Sequence, residues 1–126
     1  MTLLREGAEA FEQGDYERSI DKWTQTLQYD LARADVYHLR ASAYSKIQSW
    51  DQAIQDYSKA IELDPQQASF YLGRGMACSK LKQWNLAIQD YTRTIELGAT
   101  RRSMRLEYQM RGMERAELKQ REAAIP

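Results

Sequence analysis

The sequence predicts an all-α chain: a solenoid of three helical hairpins followed by one further helix. Two observations carry this expectation. Tyr16, Trp50 and Trp84 recur every 34 residues, and Ser19/Ala53/Ala87, Ile20/Ile54/Ile88, Trp23/Tyr57/Tyr91 and Leu27/Ile61/Ile95 follow in the same phase without an insertion. A fixed period of this length marks stacked supersecondary units, none of which buries its apolar face alone. Within each unit the apolar residues recur at steps of three and four, the helical period, and the only prolines are Pro65 and Pro126.

In the first unit Gly14-Asp15 breaks the helical pattern, and the leading helix starts at Met1 with no residue before it to cap it, which leaves Leu3 and Leu4 poorly covered. In the second, Tyr37, Ala41, Tyr44 and Ile47 form one stripe and Ala53, Ile54, Tyr57, Ile61 and Leu63 another, separated at Gln48-Ser49. Ser49 is the expected N-cap of the second stripe, with Gln52 reaching back as a capping box. Asp64-Pro65 ends that helix, because proline lacks the amide donor and steers the residue before it out of the helical region. Lys82-Gln83 turns the third unit and Gly98 stops it with left-handed backbone. Small residues Gly7, Ala41 and Gly75 are expected to face Ser19, Ala53 and Ala87, letting paired helices approach closely. Tyr16, Trp50 and Trp84 are assigned to the core, each contributing roughly 1.5 to 3 kcal/mol by burial.

The segment from Thr100 to about Ala123 reads as a capping helix with Thr100 as its N-cap and Leu106, Met110, Met113 and Ala116 as its stripe. Glu107/Arg111 and Glu117/Arg121 make ion pairs on the other side. The stripe covers the third unit if one extra residue lies near Ala99, the favoured register; strictly in phase it points into the groove instead. The expected organisation is three units over about 1–32, 33–66 and 67–99, with the cap and tail over 100–126.

Composition bounds the function. A hydrophobic share of 43% with 29% charged residues fits a folded chain. Eighteen basic residues balance eighteen acidic ones, so no global field draws the chain to nucleic acid or anionic lipid. Seven basic against four acidic residues after position 98 tilt the end positive. The single Cys78 excludes an internal disulfide, and the single His38 excludes a multi-histidine metal site. No apolar run approaches the length of a membrane span and no signal-peptide pattern opens the chain, so it is expected to be cytoplasmic, with no membrane insertion, no nucleic acid and no cofactor.

The best unit, Tyr37, Ala41, Tyr44, Ala53, Tyr57, Ala60 and Pro65, resembles the tetratricopeptide repeat. The next copy reads Tyr71, Gly75, Cys78, Ala87, Tyr91, Thr94 and Ala99; the first reads Leu3, Gly7, Ala10, Ser19, Trp23, Thr26 and Leu31. The resemblance covers residues 1 to about 99 and departs from the pattern in side-chain size, never in spacing. It implies a right-handed solenoid of helix-turn-helix units whose first helices line a concave groove for a peptide or helix. On that reading the groove presents Leu4, Arg5 and Phe11 from unit one, His38, Leu39, Ser42 and Lys46 from unit two, and Leu72, Met76 and Lys80 from unit three.

No catalytic constellation is visible. Cys78 occupies the position of Ala10 and Tyr44, which is explained by packing. Leu72-Gly73-Arg74-Gly75 lies inside a helix without the strand, lysine and hydroxyl of a phosphate loop. Asp56 and Asp90 are assigned to solvated helix surfaces. The chain is therefore expected to be a non-catalytic interaction module, an adaptor or assembly factor. The alternatives are a self-associating structural oligomer, possible as a homodimer that hides Leu3 and Leu4, and a fragment of a larger repeat protein. One subset of the family clamps chaperone C-terminal carboxylates with Lys, Asn and Arg. The positions matching that clamp are Leu4, Ala8, Leu39, Ser69 and Gly73, so chaperone tails are expected to be disfavoured and an apolar or helical segment preferred.

Overall fold

The computed structural model describes residues 2–98, 110 and 112–120. Six helices follow in order: α1 (Leu3–Glu12), α2 (Tyr16–Tyr29), α3 (Ala34–Lys46), α4 (Trp50–Leu63), α5 (Ala68–Lys80) and α6 (Trp84–Glu96). Residues 112–120 are also helical, and no strand occurs among the described residues. Thr100, Leu106, Glu107, Arg111 and Arg121, on which the expected cap and its ion pairs depend, lie outside the described residues.

Each hairpin closes in the same way. Residues 14, 48 and 82 all have positive φ, at 80° for Gly14, 62° for Gln48 and 59° for Lys82. Their amides donate to Phe11, Ser45 and Ser79 carbonyls, and the next amides, of Asp15, Ser49 and Gln83, donate to Ala10, Tyr44 and Cys78 carbonyls. This paired closure satisfies the last carbonyls of α1, α3 and α5 and needs a left-handed residue at its centre. Glycine supplies it once; Gln48 and Lys82 hold it at a steric cost of about 1 to 2 kcal/mol each. Gln48→Gly and Lys82→Gly are each expected to raise stability by about 0.5 to 1 kcal/mol, the relief of strain less the backbone entropy of glycine. A higher urea midpoint at unchanged slope checks this.

Two capping details differ from expectation. Ser49 is the N-cap of α4 but its side chain makes no capping bond, so the box with Gln52 is not formed. The first helix does have a cap: Thr2 accepts from the Arg5 amide at 3.2 Å, and Leu3 and Leu4 are half-buried rather than bare. Further on, α4 ends at Leu63 with Asp64 as its C-cap, and the Tyr71 hydroxyl donates to the Pro65 carbonyl at 2.9 Å, tying the inter-unit loop to α5.

The close approaches fall where small residues were expected. The Ser19 hydroxyl donates to the Gly7 carbonyl at 2.9 Å, and a Cβ on Gly7 would lie 2.4 Å from Trp23 Nε1. Three apolar clusters run along the array. Trp23, Leu27, Val36 and Tyr37 join the first two units and Phe70 links them to the third; Ala41, Ala53, Tyr57 and Ala77 fill the middle; Cys78, Ala87, Tyr91 and Met113 close the far end. Tyr16, Trp50 and Trp84 each open a second helix in a matching setting, half-buried against a cluster rather than fully enclosed. Met113 is buried against the third unit while Gly112 is exposed, the pattern of the shifted register.

A second repeat, of polar groups, lies beneath the apolar one. Arg40 makes a two-pronged pair with Asp56, at 2.7 Å for each bond, and its third nitrogen reaches back to Thr24 at 3.1 Å. Arg74 repeats this with Asp90, at 2.8 and 2.7 Å, and reaches back to Ser58 at 3.3 Å. The two carboxylates expected on solvated surfaces are instead buried, Asp56 at 5% and Asp90 at 4% exposure. They tolerate burial because a guanidinium matches both carboxylate oxygens at once. In the first unit the same two positions carry the opposite signs, as Glu6 and Lys22, 3.2 Å apart.

Candidate functional site

The first helices of the second and third units, α3 and α5, touch, and between them opens a cavity of about 290 Å³. Ser42, Ser45, Lys46, Trp50, Tyr57, Gly73, Met76, Ala77 and Lys80 line it. A second cavity of about 330 Å³ shares Met76 and Lys80 and continues past Trp84 and Tyr91 to Gly112, Met113 and Ala116. Together they form one groove from α3 to the C-terminal helical segment, with Met76 and Lys80 at its middle.

Of the expected groove residues, the structure brings Ser42, Lys46, Met76 and Lys80 together on the cavity wall. Met76 is 52% exposed, an uncovered apolar side chain in the middle of the groove. Leu4 and Leu39 are half-buried against the cluster around Trp23, Val36 and Phe70, and Leu72 against the far cluster. Phe11 stands edge-on to Tyr16 at 5.2 Å and tilted on Trp23 at 6.0 Å, so it too serves packing. Arg5 is exposed and paired with Glu9 at 3.4 Å, one turn along its own helix. None of these four apolar side chains lines the cavity.

His38 is wedged between rings, edge-on to Tyr57 at 5.8 Å and tilted on Phe70 at 5.1 Å. Its Nδ1 is buried without a hydrogen-bond partner. Burial pushes its pKa below the ordinary 6.5, opposed by the Asp35 charge, so the imidazole is neutral near neutrality. The folded state therefore binds the proton less readily than the unfolded chain does. The stability this group contributes is full above pH 6.5 and is lost as pH falls from there through the lower folded value. His38→Leu is expected to flatten the fall in unfolding free energy between about pH 7.5 and about pH 5.5 that wild type shows. Urea titrations of the two proteins at both pH values check this.

Tyr57, Trp50 and Ala77 were not among the expected groove residues. Tyr57 is a core residue at 5% exposure, yet its hydroxyl lies 3.4 Å from Ser42 Oγ and its ring floors the cavity. Gly73 makes room for it: a Cβ at residue 73 would lie 2.3 Å from Tyr57 Cζ and 2.7 Å from its hydroxyl. A readable signal was the tyrosine itself, since a core ring with a hydroxyl needs a polar outlet. Cys78 is buried at 2% exposure and burial pushes its thiol up, so the thiolate form is suppressed. Burial likewise pushes the Tyr91 phenol up to about 12. Among the described residues no helix is long and apolar enough to cross a membrane.

The family model described as TPR repeat matches residues 43–82. No curated protein sequence matches the chain. Among solved structures, the second TPR of Spaghetti (RPAP3) bound to HSP90 peptide SRMEEVD is 35% identical at a TM-score of 0.74, over 75% of this chain and 88% of that one. The first TPR of Spaghetti (RPAP3), bound to the same peptide, is 28% identical at a TM-score of 0.85, over 92% and 90%. The second TPR domain of human RPAP3, in complex with HSP70 peptide SGPTIEEVD, is 29% identical at a TM-score of 0.82, over 90% and 92%. The chain belongs to the tetratricopeptide repeat family, whose domains are protein–protein interaction modules.

These neighbours correct one expectation. Chaperone tails were disfavoured because Leu4, Ala8, Leu39, Ser69 and Gly73 lack the cations and amides of the clamp, yet domains of this fold and similar sequence hold such tails. The expectation treated those five positions as the only source of compensating charge. Lys46 and Lys80 stand on the groove outside them, exposed, and neither makes an ion pair with another described residue.

Proposed function

We propose that the chain is a non-catalytic adaptor whose groove between α3 and α5 holds an extended acidic peptide of a partner protein, of the kind found at chaperone C-termini. The observation that carries this is the groove itself: an uncovered Met76 flanked by two cations, Lys46 and Lys80, that lack carboxylate partners among the described residues. Such a surface favours a ligand with apolar and acidic side chains close together. Similarity to the peptide-bound RPAP3 domains supports the same ligand class.

Fluorescence anisotropy with labelled SRMEEVD tests it. Met76→Glu is the variant to compare, because Met76 is exposed at the groove centre, whereas Leu39 and Leu72 also pack on the core. Met76→Glu is expected to weaken binding about tenfold or more by placing a like charge against the ligand, with the fold intact. Equal affinity for wild type and Met76→Glu would remove the groove from the mechanism.

A further inference from the structure

Lys46 and Lys80 are the last residues of α3 and α5, one repeat apart, and both line the same cavity. A lysine at a helix C-terminus is often explained by the helix dipole. The dipole accounts for each lysine singly and not for their sharing one cavity wall, and α1 ends at the corresponding position in Glu12. The groove is thus acidic at this level in unit one and basic in units two and three. The wall between the lysines carries the hydroxyls of Ser42 and Ser45, with Met76 and Trp50 as apolar contact surface. In the middle of α5, seven residues before Lys80, the matching clamp position is Gly73, and Tyr57 fills the space that a side chain there would enter. A cation cannot be accommodated at 73 unless that buried ring moves.

We propose that the C-terminal ends of α3 and α5 form an acidic side-chain subsite. A glutamate of the bound peptide lays its methylenes on Met76 and places its carboxylate between Lys46 and Lys80. The subsite rests on the peptide-binding reading above and specifies which groups of the ligand the groove selects. Side-chain carboxylates are selected here, and the terminal carboxylate is secondary because the positions that would meet it, Leu39, Ser69 and Gly73, carry no charge.

The test uses the same labelled heptapeptide, a version with both glutamates changed to glutamine, and a version with an amidated C-terminus. These are titrated against wild type, Lys46→Ala and Lys80→Ala at low salt. Both lysines are exposed, and circular dichroism checks that the variants keep their helix content. Each lysine variant is expected to lose about fivefold affinity for the parent peptide and to bind the glutamine peptide as wild type does, the non-additivity expected of directly interacting groups. The amidated peptide is expected to bind wild type within about twofold of the parent. Equal losses for the parent and glutamine peptides, or no loss for either, overturn the subsite while leaving peptide binding standing. A large loss on amidation with no dependence on glutamate also overturns it. No binding of the parent peptide to wild type overturns the peptide-binding reading itself.

Discussion

Replacing Arg74 by methionine is expected to lower the unfolding free energy by about 3 kcal/mol. The change strands the Asp90 carboxylate, whose side chain is 6% exposed, and removes both bonds at 2.8 and 2.7 Å that compensate its burial. It also cuts the 3.3 Å bond from Arg74 to Ser58, which spans the interface between units two and three. The reverse lesion, Asp90→Leu, is expected to cost less, because the Arg74 side chain is 27% exposed and its head can turn to water. The double variant Arg74→Met/Asp90→Leu is expected to recover most of the loss, since two apolar groups leave no charge behind. Urea unfolding of the four proteins gives the coupling energy directly. Additive losses in the double variant would mean that the pair acts through independent packing.

Trp23→Ala is expected to cost about 4 kcal/mol, and to cost it locally. Trp23 is 1% exposed, its indole N–H donates to the Leu4 carbonyl at 3.2 Å, and it packs against Phe11 and beside Gly7. It therefore holds α1 onto α2 and joins both to Val36 and Tyr37 of the next unit. In a solenoid each unit contacts its neighbours alone, so a lesion at one end unravels that end first. Amide exchange should show α1 and α2 unprotected while α5 and α6 keep their protection. Uniform loss along the chain would mean that the three units fold as one indivisible body.

The repeat made the architecture legible. Invariant spacing set the hairpin breaks at Gly14, Gln48 and Lys82, and Pro65 set the end of α4. Hairpin closure depends on backbone bonds that any sequence with a tolerable residue at the left-handed position can make, so spacing was enough. The Arg40–Asp56 and Arg74–Asp90 pairs were hidden because they join residues sixteen apart across a turn, outside the three- and four-residue steps along one helix. The sign reversal at Glu6 and Lys22 hid them further, since the three units do not repeat one charge pattern.

The groove was legible in direction and not in depth. The period assigned Ser42, Lys46, Met76 and Lys80 to one face, and all four line the cavity between α3 and α5. The same period assigned Leu39 and Leu72 to that face, yet both are half-buried against apolar clusters, Leu39 on the first and Leu72 on the far one. Tyr57 shows the converse: its ring belongs to the core and its hydroxyl reaches the groove floor, a consequence of Gly73 on the adjacent helix α5 that no single-helix pattern contains.

The most direct test is an NMR titration of the isotope-labelled protein with the acidic heptapeptide, followed by amide shift changes along the chain. Binding in the groove is expected to move the amides of Ser42, Ser45, Lys46, Met76 and Lys80 together, with one affinity, and to leave the exposed side of α2 and α4 unchanged. Saturable shifts centred on α2 and α4, with those five amides still, would contradict the assignment of the ligand to this groove.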